Sequence, residues 1–173
     1  INDITDDFAT VRNFDGNAYL LQAFVQSKFK LTEKLTMVGG LYSQYFLLNN
    51  SSSVEPRLAF QYQVNEINSL SLAYGRHSQL QPFGVYFDES NSAQVRSNEN
   101  LGFTYSNHFV LGYDRYFSSK LHLKIETYFQ RLFNVPVSKD PSSLFSTMIL
   151  EYGFTTRELS NEGNGNNYGL EFT

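Results

Sequence analysis

Cysteine is absent from the 173 residues, and that absence excludes a disulfide framework, thiolate metal sites and a cysteine nucleophile together. Charge is scarce as well. Asp, Glu, Lys and Arg make up 17% of the chain, against about 25% in ordinary usage. The formal net charge is -4, so the clustered Lys and Arg that neutralise phosphates in nucleic-acid binders are missing, and no nucleic-acid partner is expected. No apolar run approaches the roughly 18 residues that a membrane-spanning helix needs. Ile1 opens the chain with neither a basic n-region nor an apolar h-region. Any export signal is therefore expected to have been removed or to lie on a longer parent.

What the chain has instead is aromatic side chains, 16% of the residues, all Phe and Tyr, on a mean hydropathy that is slightly negative. Many aromatics, few charges and a polar average are what a transmembrane β-barrel gives, because each strand has one lipid face and one wet face.

Period-two alternation supports that reading. Tyr19, Leu21, Ala23, Val25, Ser27, Phe29 and Leu31 share one face, opposed by Leu20, Gln22, Phe24, Gln26, Lys28 and Lys30. A tight turn at Thr32-Glu33-Lys34 leads to Leu35, Met37, Gly39, Leu41, Tyr45 and Leu47 on one side. Leu58, Phe60, Tyr62 and Val64 form the next run, and Leu70, Leu72 and Tyr74 follow a short connection at Asn65–Asn68. Phe109, Leu111 and Tyr113 pair through Ser118-Ser119 with Leu121, Leu123, Ile125, Thr127 and Phe129. Tyr168, Leu170 and Phe172 make a last run, in which Thr173 is expected to lie. The expected fold is all-β: an antiparallel up-and-down transmembrane barrel segment of about 7–8 strands, incomplete, spanning 1–173 as one partial barrel domain. The eighth strand depends on Phe8–Phe14, which an Asp15-Gly16 turn could close.

Connections are expected to alternate: short near Glu33, Glu66 and Ser119, long over Asn49–Val54, Gln79–Asn107 and Asn134–Asn167. One trimmed and one elaborated rim suits an outer-membrane barrel with short periplasmic turns and long extracellular loops. The run Leu121–Phe133 would rise about 30 Å at a barrel tilt, matching a bilayer core. Phe29, Tyr45, Phe46, Tyr62, Tyr74, Phe117 and Phe129 stand near strand ends, where interfacial girdles belong. A soluble lipocalin-like calyx would reverse the faces.

Several segments resemble the barrel of TonB-dependent receptors of the kind abundant in Bacteroidetes-type bacteria. They are Ser53-Val54-Glu55-Pro56-Arg57-Leu58, the stretch from Ser71-Leu72-Ala73-Tyr74-Gly75-Arg76 to Pro82, Ser106–Tyr113, Phe129–Val137 and Asn164–Phe172. The likeness runs from about Arg12 to the end. It implies a longer parent with an N-terminal plug and a motif that engages TonB, neither of which is in this chain. It also places Phe8–Phe14 in an extracellular loop. The implied function is import of a large, scarce ligand (siderophore, glycan, vitamin or peptide) across the bacterial outer membrane. Outer-membrane lipid, the plug and the TonB complex are the implied partners. A passive porin or small adhesion barrel is the alternative. Open sheet edges lead us to expect self-association of an isolated fragment.

No catalytic residue, metal site or cofactor is expected. His77, His108 and His122 lack metal-ligand spacing, and Ser106-Asn107-His108 has residue types of a hydrolase but alternating side-chain directions. Asp88-Glu89-Ser90-Asn91 and Asn161–Asn166 lack the full ligand pattern of a calcium loop. Arg76, His77, Gln79 and Gln81, where a strand becomes a long loop, are the candidate ligand contacts at the mouth. Phe83, Tyr86 and Phe87 could stack on a ligand or pack the loop.

Overall fold

The computed structural model describes residues 16–88, 96–150, 153 and 155–173. Seven strands make one antiparallel meander in chain order: β1 (Leu20–Lys30), β2 (Leu35–Phe46), β3 (Ser51–Asn65), β4 (Asn68–Gln79), β5 (Thr104–Ser118), β6 (Leu121–Ser138) and β7 (Leu159–Phe172). The sheet is open, with β1 and β7 as its two edges. Among the described residues a short helix, α1 (Phe83–Tyr86), and a 3₁₀ turn at Thr147–Ile149 are the other regular elements. Among the described residues no helix is long and apolar enough to cross a membrane. The Phe8–Phe14 segment lies outside the described residues.

Side-chain acceptors make the short turns. Thr32 Oγ1 accepts from the amides of Lys34 and Leu35 at 3.2 and 2.9 Å. Asn65 Oδ1 accepts from Ile67 and Asn68 at 3.1 and 2.9 Å, the Asx geometry that favours Asn in turns. Register then sorts the faces. Rows such as Met37–Phe60–Leu72–Leu111 lie on one side, and Thr36–Gln61–Ser71–Gly112 on the other. Toward the short turns one face of the wall is therefore apolar, and the other is mostly polar.

Three connections differ from expectation. The loop expected over Asn49–Val54 is a tight turn at 47–50, because Asn50 adopts φ 57° and lets β3 start at Ser51. Only two connections are elaborate, 80–103 and 139–158. The Asn134–Asn167 loop is shorter than expected: β6 runs on to Ser138 and β7 begins at Leu159. A register irregularity around Asn134, at φ 53°, lets β6 continue. Gly163 lets β7 approach, since a Cβ there would sit 2.7 Å from the Val135 carbonyl oxygen. Asn161–Asn166 is accordingly strand, not a calcium-type loop. β5 begins at Thr104, so Ser106-Asn107-His108 is strand too.

The buried core sits at the long-loop rim. Phe46, Val85, Tyr86, Phe87, Leu101, Phe103 and Leu159 form it, with Phe46 and Tyr86 rings 5.4 Å apart. Phe46 therefore belongs to this core and not to an interfacial girdle. It follows Gln44 on the polar face of β2, so the 80–103 connection folds over that face.

Candidate functional site: the polar wall and its mouth

Two residues of β3 organise the polar face. Pro56 has no N–H to give, and the paired stretch of β3 and β4 stops beside it, at Arg57↔Gly75. Side chains close the seam beyond that point. Glu55 is almost fully buried, and its carboxylate accepts from Gln44 Nε2 at 2.9 Å, Ser78 Oγ at 2.6 Å and the Ser78 amide at 3.1 Å. Arg57 supplies the counter-charge at 2.9 Å. Ser53 and Gln22 extend the network through Ser78 and Gln44, at 2.7 and 3.0 Å. A buried carboxylate is tolerated only when paired and hydrogen-bonded, and this one is both.

Below the seam the wall carries a depression of about 250 Å³. Gly40, Ala59, Ala73 and Gly75 keep its floor shallow, and Arg57, His77 and His108 stand around it. The two histidine rings meet edge to face at 4.9 Å. His122 is elsewhere, 2.9 Å from Asp114 Oδ1 and stacked on Tyr116. Lys124 and Glu126 pair at 2.7 Å beside it. This arrangement offers donors, acceptors and two imidazoles to something held against the wall. Ser106 is engaged by β6, where Gln130 Nε2 donates to its hydroxyl at 2.8 Å. Among the described residues no three His, Asp or Glu side chains converge as a metal site.

The four mouth candidates do not form one cluster. His77 and Gln79 take the polar face, while Arg76 projects from the apolar one, its Nε donating to Asn107 Oδ1 at 3.1 Å. Gln81 is buried; its Nε2 donates to Thr104 Oγ1 at 2.9 Å, and its amide donates to the Tyr86 hydroxyl at 3.2 Å. Burial pushes the Tyr86 hydroxyl up to about 12. Tyr86 and Phe87 pack the loop, and Phe83 remains exposed. Asp88 is buried, whereas 89–91 lie outside the described residues. Sequence reasoning passed over Glu55, Arg57 and Asn107. The i, i+2 spacing of Glu55 and Arg57 was a usable sign that they share a face.

A seven-stranded meander with one apolar and one polar face, short turns at one end and packed loops at the other, has the geometry of a stretch of β-barrel wall. Solved structures share this fold. The siderophore receptor PirA from Pseudomonas aeruginosa is 16% identical, with a TM-score of 0.66 over 90% of this chain and 28% of that one. A variant of the ferric enterobactin receptor PfeA from the same organism gives 16%, 0.63, 90% and 24%. The alcaligin outer-membrane receptor FauA from Bordetella pertussis gives 17%, 0.58, 90% and 26%. The chain thus spans about a quarter of the length of each. No protein-family profile and no curated protein matches the sequence.

Proposed function

We propose that this chain is part of the barrel of a TonB-dependent outer-membrane receptor that imports a large, scarce ligand. The carrying observation is the fold shared with three receptors, joined to a wall with one apolar and one polar face. The apolar face meets outer-membrane lipid, and the polar face lines the lumen, against a plug contributed by the rest of a longer chain. His77 and Gln79 face that lumen and are the mouth residues for the cargo to touch. The named ligands of the three similar structures favour a siderophore over a glycan, vitamin or peptide. The chain performs no chemistry of its own, and the similar structures are receptors.

The test is uptake by cells that carry the full gene in the outer membrane, with and without TonB. Accumulation of a ferric siderophore panel that collapses without TonB supports the reading. Uptake at equal rates in both strains would make the barrel a passive porin. A monodisperse, detergent-free monomer would turn the apolar face inward and make it a soluble calyx.

A further inference from the structure

Several polar side chains near the depression hold one another. Glu55 is taken up by Gln44, Ser78 and Arg57. Gln130 reaches the Ser106 hydroxyl at 2.8 Å, and its Oε1 accepts from Asn167 Nδ2 at 3.1 Å. His122, lower on the same face, lies 2.9 Å from Asp114 Oδ1. His77 and His108 differ. Among the described residues no ring nitrogen of either makes a hydrogen bond or an ion pair, although the two rings touch.

Their meeting is set by the backbone. β4 and β5 pair with Gly75 opposite His108 and His77 opposite Ser106. The ring at 77 reaches the ring at 108 by folding back over position 75, and glycine leaves that space open. A Cβ on Gly75 would lie 3.0 Å from His77 Nε2. The ring centres are 4.9 Å apart, with planes inclined at 65°. Two imidazoles bound to one metal ion, at about 2.0–2.1 Å from each nitrogen and an angle of about 90–110°, have centres about 4.5–5.2 Å apart. The observed separation falls inside that range. Ligand spacing along the sequence could not show the pair, because each strand supplies one ring.

The surrounding charge admits a cation. Arg57 stands at the depression, but Glu55 holds its guanidinium at 2.9 Å, so the two charges offset each other. Arg76, next to His77 in the chain, lies on the other face, in one row with Asn107 and Arg131. Gly40, Ala59 and Ala73 keep the depression open beside the rings, with room for water or a further donor group. Among the described residues no third His, Asp or Glu joins the pair. Two imidazoles without carboxylate or thiolate suit Cu²⁺, Ni²⁺ or Zn²⁺, and not Mg²⁺ or Ca²⁺, which take oxygen ligands.

We propose that His77 and His108 form a two-histidine site for a late first-row transition-metal ion, held tightest as Cu²⁺. The ion takes one nitrogen from each ring. Its remaining positions are open to water or to nitrogen and oxygen donors of a small chelate. With two protein ligands, half the set of a closed site, the Kd for Cu²⁺ is on the order of 10 µM at neutral pH. The site requires only the register of β4 on β5, so it stands apart from the receptor reading.

The experiment uses the full chain without a histidine tag, in neutral detergent and stripped of metal by a chelator that is then dialysed away. Cu²⁺ is titrated in and read by electron paramagnetic resonance. Wild type should show splitting from two coordinated nitrogens. His77→Ala and His108→Ala should each abolish that pattern and raise the Kd about tenfold or more, whereas His122→Ala should leave both unchanged. If either variant fails to assemble, wild type alone decides. Cu²⁺ should shield His77 and His108, and not His122, from diethylpyrocarbonate, with the labelled residues read by mass spectrometry. No nitrogen-coupled signal from wild type at about 100 µM Cu²⁺, tenfold above the expected Kd, overturns the site. So does splitting that survives both substitutions, or equal labelling of His77 and His108 with and without Cu²⁺. Each of these leaves the receptor reading intact, because that reading rests on the fold and its two faces.

Discussion

The two ends of this wall are held together differently. At the long-loop rim, side chains make a small protein interior: Phe46 and Tyr86 are 0% exposed, and Asn98, equally buried, ties the two elaborate connections. Its Nδ2 donates to the Arg157 carbonyl, and its Oδ1 accepts from the Leu159 amide, both at 2.9 Å. At the short-turn end there is only one layer of strands. Leu111, Leu72 and Phe29 are about half exposed on one side, and Gln61 is exposed on the other. The rim carries its own core. The lower wall gains its stability from ladder hydrogen bonds and, under the proposed function, from what covers its faces. A single sheet has no second layer to bury against, so its faces need cover from outside the described strands.

The largest test of that contrast is Phe46→Ala. It should destabilise the folded chain in detergent by about 3–5 kcal/mol, whereas Gln61→Ala in the lower wall should change it by less than ~0.5 kcal/mol. Thermal melts followed by the loss of heat-dependent gel mobility compare the two; equal effects would show that the rim has no core of its own. Glu55→Ala comes next. It strands the Ser78 amide and Gln44 Nε2 in a buried seam, and the expected loss is about 3 kcal/mol because Arg57 is itself partly solvated. Hydrogen exchange should rise at the β3–β4 end near Ser78 and stay unchanged at Asn65–Asn68.

Gly163→Ala should cost about 1–3 kcal/mol, since a Cβ there meets the Val135 carbonyl and β7 must move off β6. Exchange confined to β6 and β7 would confirm it, and a wild-type melt would contradict it. The smallest effect is alkaline. Tyr86, held up to about 12 against a usual value near 10, stabilises the fold fully below pH ~10 and loses that contribution as pH rises through 12. Ultraviolet titration should show tyrosine ionising late, and Tyr86→Phe should reduce that late step.

Much of the wall was legible from alternation alone. The turns at Thr32 and Asn65, the strand number and the apolar face in each strand follow from a period of two and from Asx and Thr turn chemistry. The upper strand ends were not. From Asn161 to Asn167 the chain reads as loop because Asn and Gly dominate, yet it is strand. Toward the long-connection rim alternation vanishes while the backbone ladder continues. The candidate site was legible in part. Arg76 and His77 were grouped by nearness in sequence, although adjacent strand residues point to opposite faces. The row that joins Arg76 to Arg131 depends on the register of two ladders, which no single strand encodes. The rim core has no period either. Val85, Tyr86 and Leu101 come from a connection whose fold is set by what it lands on.

The strictly neighbour-to-neighbour order of the sheet also bears on how such a wall is made. Every ladder joins strands adjacent in the chain, so most pairings close over a few residues and the entropic toll of closure stays low. The 80–103 connection is roughly sixfold longer than the 47–50 turn, which adds about 1.6 kcal/mol by the logarithmic law. Packing Tyr86 and Val85 under that connection offsets more than this. The wall can therefore be laid down one hairpin at a time, with each long loop folding onto strands already in place.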